Sequence, residues 1–181
     1  MANVNVFTGG DGALTLAPLD NPPGKDAESI INRYEIATAV GRVTGVRVSI
    51  ETDLREFFEI GFRHAISLHE GDIHIRGEVD RAYINGALLG LLLGRKPFLP
   101  EAQSQRTFQP EFNMSLQLKD PAVPGQGQLT LNGVKFHNWA FSLPENDIVM
   151  ENATFRARSI DIADFDDDSG VSIGPIFINP A

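Results

Sequence analysis

Apolar and polar residues alternate along several stretches of the chain, which is the pattern of half-buried β-strands. The clearest stretch is residues 40–51, where branched apolar side chains alternate with charged and polar ones. The same alternation occurs at residues 73–79, 111–118 and 127–135. The pattern therefore predicts a chain built mainly from β-strands.

Residues 136–162 predict two more strands around a turn. Trp139 and Phe141 share one face of the first strand, and turn-forming residues follow Pro144. In the second strand the inward-facing positions change parity near Ser159. An extra residue in one strand produces such a change, so we predict a β-bulge there.

The period changes to that of a helix near residues 81–93. Apolar side chains recur there at three- and four-residue spacing. Asp80 is a candidate N-cap, and Gly94 is well placed to end the helix. Since no face of this segment is charged, we expect the helix to be buried nearly all round.

The remaining segments set the domain organisation. Residues 1–40 predict an N-terminal arm, because prolines and glycine at 20–24 interrupt regular structure. Residues 41–181 then form a single domain, in which 95–110 is a long loop with three prolines. Residues 54–62 predict a helical turn or a bent connection. The fold class is a β-sandwich or barrel with one packed α-helix, extended loops and the arm.

Composition excludes several classes of function. The chain of 181 residues has no cysteine, which excludes disulfides and thiolate chemistry. Its formal net charge is −9, and no basic cluster is visible, so we do not expect tight binding to nucleic acid. The N-terminus has no basic or apolar leader, and the most apolar run, residues 87–93, is too short to cross a bilayer.

An acidic segment near the C-terminus partly matches a calcium-binding loop. Asp164, Asp166 and Asp168 stand at alternate positions, as calcium ligands do. Ser169 stands where such a loop needs glycine, and Pro175 replaces the bidentate glutamate. A solvated acidic turn is therefore favoured over a metal site.

Other candidate chemistry fails on spacing. The four histidines lie on different predicted elements, whereas zinc needs three or four converging ligands. Gly9-Gly10-Asp11-Gly12 lacks the lysine of a phosphate-binding loop, and Glu56 and Glu59 fit a solvated acidic face. We expect no catalytic, metal-binding or cofactor-binding residues, and no enzyme.

The order of elements resembles that of tail tube proteins of tailed bacteriophages. The resemblance rests on residues 76–94, on residues 129–136 and on the hairpin at 136–162 that follows. It implies hexameric rings that stack into a hollow tube for ejection of viral DNA. Inner tubes of contractile injection systems and tailocins share this design, and the sequence does not separate them from a phage tube.

The same resemblance implies partners and a location. The subunit would associate with itself into rings and a tube, and would meet sheath, tape-measure, baseplate and terminator proteins. DNA would pass without specific binding, and no membrane would be involved. The resemblance places such a protein in the virion tail, after assembly in the host cytoplasm.

Two sets of residues are candidates for these roles. Polar positions opposite the apolar faces of two strands would line the lumen, or would face bulk water: Asn113, Ser115, Gln117, Gln128, Thr130 and Asn132. Ring-to-ring contacts would come from segments 1–40, 51–68 and 95–110, with a shared sheet at the hairpin. The candidate inter-subunit residues are Phe7, Leu16, Phe58, Phe98, Leu99 and Trp139.

Two other functions stay open at this point. A baseplate or tail-completion protein would form a ring without extending it into a tube. A small hydrolase or sugar-binding β-sandwich would use the aspartates at 164, 166 and 168 with calcium.

Overall fold

The computed structural model describes residues 12–37, 40–94, 108–119, 126–165 and 172–173. Its elements, in chain order, are β1 (Gly12–Pro18), α1 (Pro22–Tyr34), β2 (Val43–Phe57), β3 (Ser67–Ala82), α2 (Ala87–Leu93), β4 (Phe112–Lys119), β5 (Gln126–Ser142), β6 (Met150–Ala157), β7 (Ser159–Phe165) and β8 (Ser172–Ile173). The prediction of a mainly β fold with a packed helix is confirmed.

The strands form one antiparallel, curled sheet in the order β1-β4-β5-β6-β3-β2, with β7 beside β5 and β8 beside β7. The long strand β5 connects the two halves. Its first half pairs with β4 and β7, and its second half pairs with β6. The stretches 127–135 and 136–143, predicted as separate strands, therefore belong mostly to one continuous strand.

A matched pair of irregularities bends the sheet where its halves meet. Gly133 adopts a positive φ of 63°, which glycine tolerates without strain. Opposite it, Arg158 separates β6 from β7 and donates its backbone N–H to the carbonyl of Asn132. The predicted change of parity is present, since Phe155 and Ile160 are both buried. The predicted bulge is wrong, because Ser159 pairs with Asn132 and Arg156 pairs with Lys135, which leaves no extra residue between these pairs in either strand.

Three phenylalanines form the centre of the core. The Phe136 ring lies 5.2 Å from the Phe112 ring and 6.5 Å from the Phe155 ring, measured between centroids. Phe155 packs over Gly77, where an added Cβ would stand 2.5 Å from its ring. Only glycine fits beneath this ring.

A second helix, α1, corrects the expectation for the N-terminal region. Pro22 occupies the first turn, where a missing N–H costs nothing. The Asn21 side chain accepts a hydrogen bond from the Gly24 N–H at 2.7 Å and caps the helix. The prolines that were expected to interrupt structure therefore begin a helix.

The described part of the N-terminal region packs into the main core. Leu14 and Leu16 of β1 and Ile30 and Ile31 of α1 are all buried there. Residues 12–34 are thus part of the folded body. For residues 1–11, which lie outside the described residues, the arm stays a prediction.

Helix α2 begins later than predicted, because Arg81 and Ala82 still pair with β6 in the sheet. Asp80 is not the N-cap. It accepts a hydrogen bond from Asn152 instead, and the Asn85 side chain accepts one from the Ala87 N–H.

The end of α2 at Gly94 is as predicted, and the Gly94 N–H bonds to the Gly90 carbonyl. Burial is one-sided, because Leu88 and Leu91 are buried whereas Leu93 is 37% exposed. Neither helix of the described chain has the length and apolar character needed to span a membrane.

We expect Gly77→Ala to destabilise the fold. The new Cβ would stand 2.2 Å from the Arg47 carbonyl oxygen and against Phe155. Overpacking of this kind costs about 1–3 kcal/mol of unfolding free energy. Gly45→Ala is the control, since its Cβ meets only ordinary contacts. Equal denaturant midpoints for the two variants would contradict the assignment.

Candidate assembly surfaces

The hairpin of β2 and β3 extends well beyond the rest of the sheet. Strand β6 pairs with β3 only from Ile75 to Ala82. Farther out, residues 67–74 pair with β2 alone among the described strands. Residues 54–57 continue β2, and the connection is residues 58–66. Of the two alternatives predicted for 54–62, a bent connection is found in the second half, where the Phe62 N–H bonds to the Glu59 carbonyl. A β-bulge between Thr52 and Leu54 interrupts the pairing register.

One face of this outer hairpin carries four exposed apolar side chains. The pairing places Ile50, Leu54, Leu68 and Ile73 on the same side, with Glu70 and Glu56 directly across from Leu54 and Leu68. Leu54 and Leu68 are 58% and 59% exposed, and the two isoleucines are each 46% exposed. Nothing in the described chain covers this face.

The opposite face of the hairpin carries charges. Arg76 pairs with Glu51 at 2.7 Å, and a ring nitrogen of His74 lies 3.5 Å from an Asp53 carboxylate oxygen. All four side chains are largely exposed, so these pairs contribute little stability. The hairpin is thus amphipathic, although it belongs to no core on either side.

The connection at the end of the hairpin is also apolar. Phe58 and Phe62 are more than half exposed, and Ile60 is fully exposed. Phe57 and Ile66 flank them, both also exposed. A cluster of exposed apolar side chains of this kind is typical of an interaction site.

The six predicted lumen-facing residues share one surface. Ser115 pairs with Thr130 and Gln117 with Gln128 across β4 and β5, so their side chains point the same way. The Gln128 amide donates to the Ser115 hydroxyl at 2.9 Å. Asn113, predicted in the same set, accepts from the Gly133 N–H through its side chain.

This polar surface continues onto the neighbouring strands. Thr15 of β1 lies opposite Ser115. On the other side, the Asn132 amide donates to the Asp161 carboxylate of β7 at 2.6 Å. Asp161 is an ionisable group within this surface, and the Glu111–Arg158 pair adjoins it at Gly133. The result is a nearly uncharged layer of amides and hydroxyls across four strands, which we call the amide face.

An apolar cleft lies between the two edges of the sheet. Strands β1 and β2 are those edges, and the cleft has a volume of about 220 Å³. Leu14, Leu116 and Leu118 line it from one side, and Val43 and Val46 line it from the other. The curled sheet therefore does not close into a barrel within the described residues.

The predicted inter-subunit residues differ in their exposure. Phe58 is 52% exposed at the end of the hairpin, where a partner can reach it. Leu16 is only 3% exposed and fills the core of its own subunit, so it is unavailable as a contact. Phe7, Phe98 and Leu99 lie outside the described residues.

Trp139 is occupied mainly within its own subunit. Its ring stacks on Phe141 at 5.7 Å, and its indole N–H donates to the Glu151 carboxylate at 2.9 Å. Phe141 is itself exposed and also meets Tyr83 edge-on at 5.2 Å. The exposed part of this aromatic group is therefore Phe141 and Tyr83.

A buried ion pair, missed by the sequence-based prediction, lies at the base of the hairpin. Arg81 of β3 and Glu151 of β6 are each 1% exposed and bond to one another through Nε and Oε1 at 2.6 Å. Arg81 also donates to the carbonyls of Val40 and Asn85. The available signal in the sequence was the alternation of inward- and outward-facing positions, because both residues occupy inward-facing positions of their strands.

A second buried carboxylate lies beside the bend in β5. Glu111 is 3% exposed, and its two oxygens meet Arg158 at 2.6 Å and Lys135 at 3.4 Å. Both cationic side chains reach in from the surface and neutralise the carboxylate. This group ties the start of β4 to the bend.

Among the described residues, no group of three or more histidines and carboxylates could hold a metal ion. Glu56 and Glu59 are both exposed on the hairpin. The side chains of Asp164, Asp166 and Asp168 lie outside the described residues. The described part of the chain thus offers surfaces for association and no such group of metal ligands.

Three solved structures resemble this arrangement of strands and helices. A sheath/tube terminator chain of the PVC extracellular contractile injection system, in its extended state, has a TM-score of 0.55 at 11% identity, covering 89% of this chain and 99% of that one. The tube-terminating cap of the anti-feeding prophage gives 0.54 at 11% identity, covering 90% and 93%. The SPP1 tail tube gives 0.53 at 10% identity, covering 86% and 77%.

The chain has the tail-tube fold. No protein-family model matches the sequence, and no curated protein matches it. At such low identity the likeness establishes the fold alone. The similarity lies in the arrangement of strands and helices and not in shared residues.

We expect Glu151→Gln to destabilise the protein strongly, because it leaves Arg81 buried without a counter-charge. Breaking a buried pair costs about 3–5 kcal/mol. Glu51→Gln removes one partner of the exposed pair with Arg76 and should cost at most about 1 kcal/mol. Chemical denaturation measures both, and similar losses in the two variants would show that the buried pair has no special role.

Proposed function

We propose that this chain is the structural subunit of a tail tube, which associates with copies of itself into stacked rings around a central lumen. The observation that carries the proposal is the projecting β2–β3 hairpin, with its exposed apolar face and its apolar end. On a tail-tube fold, such a surface favours burial against another protein. Further copies of the same chain are always present during assembly.

The hairpin suits contacts between successive rings. The outer part of β2, residues 51–57, spans about 23 Å at roughly 3.3 Å per residue. It carries its apolar surface away from the subunit's own core. In our proposal the surface that receives it lies elsewhere on the next copy, which makes the contact heterologous. Such a contact would repeat from ring to ring along the tube.

The amide face is our candidate lining of the lumen. Most of its side chains bond to one another, as Gln128 does to Ser115 and Asn132 to Asp161. The nearest described cations, Arg158 and Lys135, lie at its border and are both paired with Glu111. The face therefore offers few free cations to hold phosphates, and DNA would pass without being bound. The acidity of the chain as a whole is not concentrated there, and the alternative is that this face meets bulk water.

The role we propose is structural and non-catalytic. The partners it implies are other subunits first, and then sheath, tape-measure, baseplate and terminator proteins, in a virion tail assembled in the host cytoplasm. The sheath/tube terminator chain and the sheath-tube complex chain of the PVC system give TM-scores of 0.55 and 0.54. This near-equality supports two alternatives, a tube subunit of a contractile injection system and a ring that ends or completes a tail.

Negative-stain electron microscopy of the purified protein tests the proposal. We expect tubes, or rings that stack as the concentration rises. Ile60→Ser should shorten or abolish the stacks, because the fully exposed Ile60 has no role in the subunit's own core. His64→Ser, also at the exposed end of the hairpin, is the matched control and should leave stacking unchanged.

Monomers at every concentration, salt and pH would refute self-assembly. Tubes of normal length from Ile60→Ser would retain self-assembly and refute the role of the hairpin. Rings that never stack in the wild-type protein would favour the tail-completion alternative.

A cysteine at Gln117 tests the lumen assignment, since the chain has no cysteine of its own. In assembled tubes we expect Gln117→Cys to react with a small maleimide but not with a maleimide carrying a large polymer. Dissociated subunits should react with both, because Gln117 is exposed in the subunit. Equal reaction of tubes and subunits with the large reagent would place this face on the outside.

A further inference from the structure

A second group of exposed apolar side chains lies where β5 turns into β6. In the connection between these strands, Leu143 and Ile148 are 72% and 66% exposed. Tyr83, which follows β3, lies beside them, because its backbone N–H bonds to the Val149 carbonyl at 2.8 Å. The exposed ring of Phe141 completes the group through its contact with Tyr83. We call these four side chains the apolar end: Tyr83, Phe141, Leu143 and Ile148.

The apolar end and the hairpin connection, residues 58–66, lie at opposite ends of the subunit. Strand β3 begins at Ser67, beside the hairpin connection, and ends at Ala82, which pairs with Met150 at the start of β6. Its 16 residues span about 50 Å at roughly 3.3 Å per residue. When copies stack in one direction, opposite ends of successive copies meet. The hairpin connection of one copy would therefore face the apolar end of the next.

The two ends also differ in charge. The connection between β5 and β6 contains Glu145 and Asp147 and no lysine or arginine, and Arg42, at the same end, lies on the far side of β3. Glu145 is exposed and has no ion-pair partner among the described residues, whereas Asp147 accepts a hydrogen bond from the next backbone N–H. The hairpin connection contains Glu59 and Arg63, so it is neutral overall. Arg63 is exposed and unpaired within the described chain, which makes it available to a carboxylate of another copy.

We propose that the hairpin connection of one subunit docks on the apolar end of a subunit in the next ring. Ile60 lies against Leu143 and Ile148, so very exposed apolar side chains of the two ends become buried together. Arg63 of the same hairpin pairs with Glu145. This docking rests on the proposed tube function, for which it names the surface that receives the hairpin.

Apolar burial and the ion pair contribute differently to this contact. Burial of apolar side chains favours association without fixing an orientation. A charge pair beside them fixes register and direction more than it adds affinity. Because the donor and the acceptor are different surfaces, every copy uses both, and each stays exposed only where the stack ends. A terminator or baseplate protein would meet one of them there.

Chemical cross-linking in assembled tubes tests the contact. His64→Cys and Asn146→Cys in one chain place a cysteine beside each member of the Arg63–Glu145 pair, since the chain has no cysteine of its own. A short bismaleimide should link each copy to the next and give a ladder of dimers, trimers and longer products on a denaturing gel. His64→Cys with Glu28→Cys, whose second position is exposed on α1, is the matched control. We expect it to give roughly tenfold less linked product, because proximity sets the rate of linking.

Charge reversal tests the ion pair through a rescue. Arg63→Glu and Glu145→Arg each bring like charges together, so we expect either variant to need about tenfold more protein to stack. The double variant restores opposite charges and should stack at a concentration within about twofold of the wild type. Both positions are exposed in the subunit, so its folding should be unchanged.

The outcomes separate this contact from the proposed function. Wild-type tubes whose cysteine variant gives no more linked product than the control would overturn the contact and leave the tube in place. A ladder that stops at dimers would show a self-complementary contact, and a double variant that does not recover would show that Arg63 and Glu145 do not meet. Either result overturns the proposal. Wild-type protein that never assembles would refute the tube function and this contact together.

Discussion

The buried ion pair between Arg81 and Glu151 is the interaction on which the rest of the arrangement depends. It joins β3 to β6 at the base of the hairpin. Arg81 also donates hydrogen bonds to the carbonyls of Val40, which precedes β2, and of Asn85, which precedes α2. Charges this deeply buried are tolerated only when every partner is in place. The pair therefore fixes the inner end of β3, six residues from Ile75, where β6 stops pairing and the hairpin leaves the sheet. A hairpin without a core of its own needs such a rigid base if its apolar face is to meet a partner in a defined position.

The hairpin and the amide face have different proposed roles in assembly, which follow from their chemistry. The hairpin exposes apolar side chains that favour burial against another protein, whereas the amide face satisfies its own hydrogen bonds. A surface whose polar groups are already hydrogen-bonded gains little by binding, which suits the lining of a lumen. The bend at Gly133 and Arg158 allows one long strand to serve both halves of the sheet. The two surfaces thus sit on one continuous framework.

Much of this fold was predictable from alternation alone, because strands with one buried face have a strict period. The change of parity near Ser159 and the helix end at Gly94 were likewise predictable from local signals. Helix α1 was missed because Pro22 and Pro23 were interpreted as a break, although Asn21 before them is a capping residue. The outer hairpin was missed because its exposed face and the bulge after Thr52 blur the pattern. Parity marks Arg81 and Glu151 as inward-facing, but no local pattern indicates that residues seventy positions apart form a pair.

The central claim is that the hairpin buries its apolar surface between successive rings. Cryo-electron microscopy of wild-type assemblies measures this directly. The account predicts stacked rings in which residues 51–66 of one subunit lie against a subunit of the next ring, with Ile60 and Phe62 buried. Rings or tubes in which this hairpin stays exposed to solvent would contradict it.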